Sequence, residues 1–116
     1  MKFLLLMSEP DHFARWDAAS EAEHSAVFES FRAFSAAVRE RGELLVGEAL
    51  APGDEARTVR PGPDRRVSDG PYAETVEQVG GLYLVELPDR ETAVDVARLL
   101  PHQYTIEVRP IVHVDG

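Results

Sequence analysis

The sequence predicts an α+β domain in which one antiparallel sheet carries two helices on the same face. Two stretches, residues 21–41 and 89–100, place apolar residues at the three- and four-residue spacings of amphipathic helices. Apolar runs typical of strands surround them and give the order β-α-β-(hairpin)-β-α-β. That order is the ferredoxin-like βαββαβ arrangement, and we expect residues 1–116 to form it as a single domain.

Length and charge limit the classes of function. A chain of 116 residues forms a small core, so a second subunit covering one sheet face would stabilise it. The net charge of −9 disfavours a nucleic-acid or anionic-membrane partner, since both require a basic surface. The absence of cysteine excludes disulfides, thiolate metal sites and cysteine nucleophiles.

The beginning of the chain predicts a strand followed by a loop. Residues 2–8 are nearly all apolar, as in a strand that is covered on both faces. The apolar run is too short for a signal peptide, which leads us to expect a cytoplasmic protein. Residues 11–19 show no clear period, and we interpret them as a loop with at most one helical turn. Its Trp16 either covers the edge of the core or forms the wall of a pocket.

The first helix has the clearest start signal in the chain. Ser20 and Glu23 form a capping box, so a helix should run from Glu21 to Arg41. Gly42 is expected to end it in a left-handed conformation. The inward stripe of this helix consists of Val27, Phe31, Phe34 and Val38.

The middle of the chain predicts a strand and a hairpin. Residues 43–50 form the strand, in which Gly47 indicates a bulge or a close backbone approach. Residues 57–60 and 65–68 read as a short hairpin with four arginines. We interpret these arginines as a solvated edge, with a site for an acidic ligand as the alternative.

The last third predicts a strand, a helix and a strand. Residues 82–87 are apolar on both faces, which predicts that the face without helices packs against another subunit. Asp89 should cap the second helix. Its expected inner stripe is Ala93, Val94, Ala97 and Leu100. The last strand is expected over residues 104–114, with Ile106, Val108 and Val112 on one face.

The most distinctive motif is Asp69-Gly70-Pro71-Tyr72-Ala73-Glu74-Thr75, followed by Glu77-Gln78 and Gly80-Gly81. Asp, Gly and Pro in this order favour a tight turn with positive φ at the glycine. The motif resembles the signature of the YCII-related (DGPF-motif) family of small bacterial α+β proteins, with Tyr72 where that family has Phe. The resemblance implies a dimeric α/β barrel, a homodimer joined through the sheet face. It implies no particular reaction.

Two residues are the candidate catalytic groups. His24 lies in the first turn of the long helix beside its inward stripe, where it suits a general base. The alternative is a half-buried histidine at a helix end. Asp69 either caps the turn or acts as an acid or base at the rim of a cleft, where Tyr72 and Glu74 would join it.

Two further residues are candidates for substrate binding. Arg109 would orient a substrate carboxylate or form a cross-strand ion pair. Tyr83 is either a core residue or a pocket hydroxyl. The four histidines have no metal-ligand spacing, and Gly80-Gly81 precedes a strand rather than a helix, so no metal and no nucleotide cofactor are expected.

Two classes of function remain open. The first is a cofactor-free acid–base enzyme, of isomerase or lyase type, that acts on a small organic molecule with His24 and Asp69. The second is a non-catalytic ligand-binding or regulatory module that uses the acidic surface or the arginine-rich hairpin. A retained small molecule, or a closed pocket that contains both residues, would favour the enzyme.

Overall fold

The computed structural model describes residues 1–73 and 77–115 and confirms the α+β fold. In chain order the elements are β1 (Lys2–Pro10), α1 (His12–Ala18), α2 (Glu21–Arg41), β2 (Glu43–Ala49), β3 (Arg57–Val59), β4 (Val67–Asp69), β5 (Glu77–Glu86), α3 (Arg90–Ala97) and β6 (Thr105–Pro110). The antiparallel order β2-β5-β1-β6 is the ferredoxin-like sheet, and over the described residues β3 and β4 form a separate two-stranded sheet. No helix in the described part of the chain is long and apolar enough to cross a bilayer.

The core lies between the sheet and the helices. Along β1 every second residue is buried, and Phe3 and Leu5 have no exposed surface. Phe34 of α2 and Ala93 of α3 pack into the same cluster. The opposite side of the sheet, which we call the outer face, carries mainly half-buried residues on the central strands β1 and β5 and exposed ones on β2 and β6. Its central members are Leu4, Leu6, Leu82 and Leu84, which pair across β1 and β5.

One helix was missed in the sequence. Residues 12–18 form α1, so the described residues contain three α-helices rather than two, and the expected loop is wrong. No residue of the helix is fully buried, and its half-buried row of His12, Phe13 and Trp16 is too short to give a clear period in the sequence. Asp11, a residue type that often precedes a helix, has a left-handed φ of 52° and makes no side-chain cap. The short row and the missing cap explain the error.

Local capping was predicted more accurately. The capping box of Ser20 and Glu23 is present, and Asp89 accepts a hydrogen bond from the backbone of Thr92 at 2.8 Å. Gly70 has a φ of 90°, as its turn requires. Gly42, however, is extended rather than left-handed. A glycine is needed there because a Cβ would collide with the backbone carbonyl of Glu86.

Two strand boundaries and one buried position differ from expectation. Strand β5 begins at Glu77, so the double glycine lies inside it rather than before it. In α3 the buried position is Val96 and not Val94, which is exposed. Strand β6 ends at Pro110, and Val112 beyond it is exposed. In β2 the pairing register shifts between Leu44 and Val46, close to the predicted bulge.

Candidate functional site

Strand β1 places one carboxylate on its buried face. Glu9 follows Phe3, Leu5 and Met7 in the alternation and is only 3% exposed. Burying a charge is costly unless partners compensate it. The guanidinium of Arg15 lies 3.6 Å from Oε2 of Glu9, yet that oxygen accepts no hydrogen bond from any described residue.

The other oxygen of Glu9 orients a histidine. Nδ1 of His12 lies 3.0 Å from Oε1 of Glu9. An ionised carboxylate can only accept a hydrogen bond, so Nδ1 carries the proton and Nε2 is the free acceptor of the neutral ring. The side chain of His12 is 12% exposed. Helix α1 supplies His12 and Arg15 together, on either side of the same carboxylate.

The double glycine makes room for this ring. The imidazole of His12 packs directly on Gly80, where a Cβ would overlap its Nε2. At the next position a Cβ would lie 2.8 Å from Cε of Met7 and 3.0 Å from the carbonyl of Glu48. Both glycines are therefore required by close packing, not by a phosphate loop.

His12 borders a cavity of about 390 Å³, which we call the aromatic pocket. This volume is in the range of small-molecule sites. Seven aromatic rings form much of its wall: His12, Phe13, Trp16, Phe28, Phe31, Tyr83 and Tyr104. The ring of His12 lies 5.5 Å from that of Tyr104, centroid to centroid.

Two phenols in this pocket remain protonated at neutral pH. Burial, and to a smaller extent the negative charge of Glu9, together raise the pKa of Tyr104 to about 12. Burial also raises the pKa of Tyr83. Each hydroxyl can therefore donate a hydrogen bond to an oxygen atom of a bound molecule.

A second cavity, of about 600 Å³, lies on the other side of Trp16, and we call it the polar groove. Arg15, Glu23, His24 and His102 contribute to its wall. Nε2 of His24 donates to the backbone carbonyl of Trp16 at 2.8 Å, and its ring stacks on the indole at 4.0 Å. Trp16 is thus a pocket wall, as one of the two interpretations held, and it separates the two cavities.

The candidate residues named from the sequence lie in several places. Tyr83 lines the aromatic pocket and His24 lines the polar groove. Asp69 lies in the β3–β4 hairpin with its side chain 92% exposed, 3.7 Å from Arg57, and it is not part of the groove wall. The catalytic roles of His24 and Asp69 stay predictions.

The remaining candidates also lie apart. Tyr72 is exposed and its carbonyl accepts a hydrogen bond from Arg60. Arg109 is exposed on β6 and forms an ion pair with Glu107 at 2.6 Å. Glu74 falls outside the described residues. Over residues 1–73 and 77–115 no group of three or more His, Asp or Glu side chains is arranged to hold a metal ion.

Glu9 and His12 were missed by the sequence analysis. The expected strand over residues 2–8 ended before Glu9, although the alternation of β1 continues and places Glu9 on the inner face. His12 was assigned to a loop. The available signal was a charged residue, Glu9, at a position where the alternation of Phe3, Leu5 and Met7 predicts a buried side chain.

The fold and this pocket define a small α+β protein with a two-layer ferredoxin-like architecture and a histidine–carboxylate pair beside an aromatic cavity. A family model described as the YCII-related domain matches residues 1–115. The chain is also 35% identical over 99 residues to a protein of Rhizobium meliloti (strain 1021) described as uncharacterized, covering 81% of this chain and 80% of that one. The chain belongs to the YCII-related family.

Proposed function

We propose that this protein binds a small organic molecule in the aromatic pocket and catalyses proton transfer on it, with His12 as general base. The observation that carries the proposal is the hydrogen bond between His12 and the buried carboxylate of Glu9. A carboxylate that fixes the tautomer of a histidine and supports its positive charge is the usual companion of a catalytic imidazole.

The substrate class follows from the walls of the pocket. Aromatic rings favour a compact, largely apolar molecule, and the two neutral phenols favour one that carries a carbonyl oxygen. Nε2 of His12 would take a proton from the carbon next to that carbonyl. Tyr104 or Tyr83 would donate a hydrogen bond to the oxygen as it gains negative charge.

Two outcomes complete the reaction. Return of the proton from His12 to another carbon gives an isomerisation. Departure of a leaving group with the electron pair of its bond to carbon, followed by proton transfer to that group, gives an elimination. Both match the isomerase or lyase type, and both use only side chains of the pocket.

Hydrogen–deuterium exchange tests the proposal without knowledge of the natural substrate. A panel of small cyclic and open-chain ketones and enones is incubated with the protein in D₂O, and loss of the α-proton signal is followed by NMR. We expect exchange above the buffer rate for the compounds that fit the pocket. His12→Gln should lower it by about 10²- to 10⁴-fold, because the base is lost.

The matched control is His24→Gln, which changes the same residue type on the other side of Trp16. This variant should exchange at close to the wild-type rate. Exchange that survives His12→Gln, or that no panel member shows above buffer, would contradict the catalytic proposal. Saturable shifts of ligand signals without exchange would favour the non-catalytic binding module instead.

We further propose that the chain forms a homodimer through the outer face. Four leucines occupy the centre of that face, and the molecule is only 18 Å thick in its shortest dimension. Its radius of gyration is 16.0 Å, whereas a compact chain of this length has about 13 Å. Sedimentation should therefore give twice the chain mass of 12.9 kDa. A single chain mass at micromolar concentration would overturn the dimer.

A further inference from the structure

Residues 56–70, which we call the arm, form a unit of their own. Strands β3 and β4 pair Arg57 with Asp69 and Val59 with Val67. The backbone N–H of Gly70 donates to the carbonyl of Ala56 at 2.7 Å and closes the base. Among the described residues, every hydrogen bond and ion pair made by the arm ends within residues 53–72.

Among the described residues, neither strand of the arm packs extensively against another helix or strand. A two-stranded hairpin alone is marginally stable in water, and it needs a third strand or a packed face. Val59 and Val67, which are opposite each other on one side of the arm, are 52% and 60% exposed. A paired, exposed valine cluster on an otherwise isolated hairpin indicates a contact that a single copy does not make.

The charge of the arm is opposite to that of the chain. It contains four arginines and two aspartates, whereas the whole chain has a net charge of −9. Arg57 and Arg66 have carboxylate partners inside the arm, at 3.7 and 3.8 Å. Within the described part of the chain, Arg60 and Arg65 have none. Two guanidinium groups are therefore available to an acidic surface.

The outer face has the complementary character. Along β2 the strand pairing places Glu48 opposite Leu82. On the β6 side Glu107 is opposite Leu6, but it already pairs with Arg109, which lies opposite Leu4. At the end of the sheet, Glu43 is opposite Glu86. An apolar centre with an acidic border along β2 thus matches a hairpin with a valine pair and two arginines that have no carboxylate partner among the described residues.

We propose that the arm of each copy lies against the acidic border of the partner's outer face. The valine pair would pack beside the leucines, and Arg60 and Arg65 would face the glutamates. The contact is made twice, because a two-fold axis exchanges the arms. This inference rests on the homodimer proposed above. It identifies the arm as the element that covers the border of the dimer interface.

Charge reversal in the arm tests the inference. Arg60→Glu/Arg65→Glu puts acid against acid at both contacts, so the dissociation constant of the dimer should rise at least about tenfold. The matched control, Arg32→Glu/Arg98→Glu, makes the same change on α2 and next to α3, away from the outer face. That variant should dimerise like the wild type. The measurement is sedimentation velocity over a dilution series at low and high salt.

A rescue variant separates the arm contact from simple misfolding of the hairpin. Adding Glu43→Arg/Glu48→Arg to the reversed arm should restore much of the affinity. A monomeric wild type would overturn the homodimer itself. If the wild type is a dimer and the Arg60→Glu/Arg65→Glu variant dimerises equally tightly, only the arm contact is overturned. If that variant dimerises more weakly and the rescue substitutions do not restore its affinity, the placement of the arm on the outer face is overturned.

Discussion

His12 and His24 occupy comparable positions on the two sides of Trp16, and they differ in the partner of one ring nitrogen. His12 binds a buried carboxylate at 3.0 Å, whereas His24 binds a backbone carbonyl at 2.8 Å. Both partners fix a tautomer. Only the carboxylate also supports a positive charge on the ring. The comparison teaches that two histidines in similar places differ in the charge of the group that holds the ring, a carboxylate for His12 and a neutral carbonyl for His24.

The largest expected effect concerns the carboxylate. Glu9→Gln should lower the exchange rate of a pocket ligand by about 10²- to 10⁴-fold, because the amide group can donate to Nδ1 and hold the wrong tautomer of His12. The matched control in the other region is Glu23→Gln, since glutamine also completes a capping box. If Glu9→Gln exchanges the ligand proton at the wild-type rate, the carboxylate partner does not distinguish His12 from His24.

A second effect concerns the packing of His12 on the sheet. Gly80→Ala should destabilise the fold by about 1–3 kcal/mol, because the new methyl group overlaps the imidazole. The measurement is urea unfolding followed by the fluorescence of Trp16.

Making Gly80→Ala in variants that lack either histidine compares the roles of His12 and His24 directly. In His12→Ala the cost of Gly80→Ala should largely disappear, since the ring that it strikes is gone. In His24→Ala the full cost should remain. Equal costs in both backgrounds would mean that His12 does not pack on Gly80 in solution.

The smallest expected effect is on the ionisation of a tyrosine side chain. Absorbance titration should show one phenol ionising near pH 12, and Tyr104→Phe should remove it. The pKa of Tyr104 is higher in the folded chain than the ordinary value near 10, so its contribution to stability is complete below pH 10 and is lost as the pH rises toward 12. Glu9→Gln should lower this pKa only in part, because burial is the larger cause. A titration unchanged by Glu9→Gln would contradict the effect of the Glu9 charge on the pKa of Tyr104.

Local signals in the sequence predicted the parts of the fold that depend on local contacts. The capping box of Ser20 and Glu23 is a pattern of four residues, and it placed the start of α2 correctly. The Asp–Gly–Pro turn gave the positive φ of Gly70 in the same way. The βαββαβ order followed from these elements and from the apolar runs between them.

The candidate site depended on contacts that no local pattern encodes. Helix α1 has no side-chain cap and only a short half-buried row of residues, and it packs where His12 meets Gly80, 68 positions along the chain. The alternation of β1 did contain the position of Glu9. The turn-like neighbours of Glu9 in the sequence, with Pro10 beside it, concealed that position.

The position of β1 in the sheet has a consequence for how the chain folds. This first strand is central, and its two neighbours, β5 and β6, are the last two strands of the chain. During synthesis its leucines therefore remain unpaired until most of the polypeptide has left the ribosome. Such high contact order predicts refolding in milliseconds to seconds rather than microseconds, measurable by stopped-flow fluorescence. Until that pairing occurs, β1 is the segment of the nascent chain with the greatest tendency to aggregate.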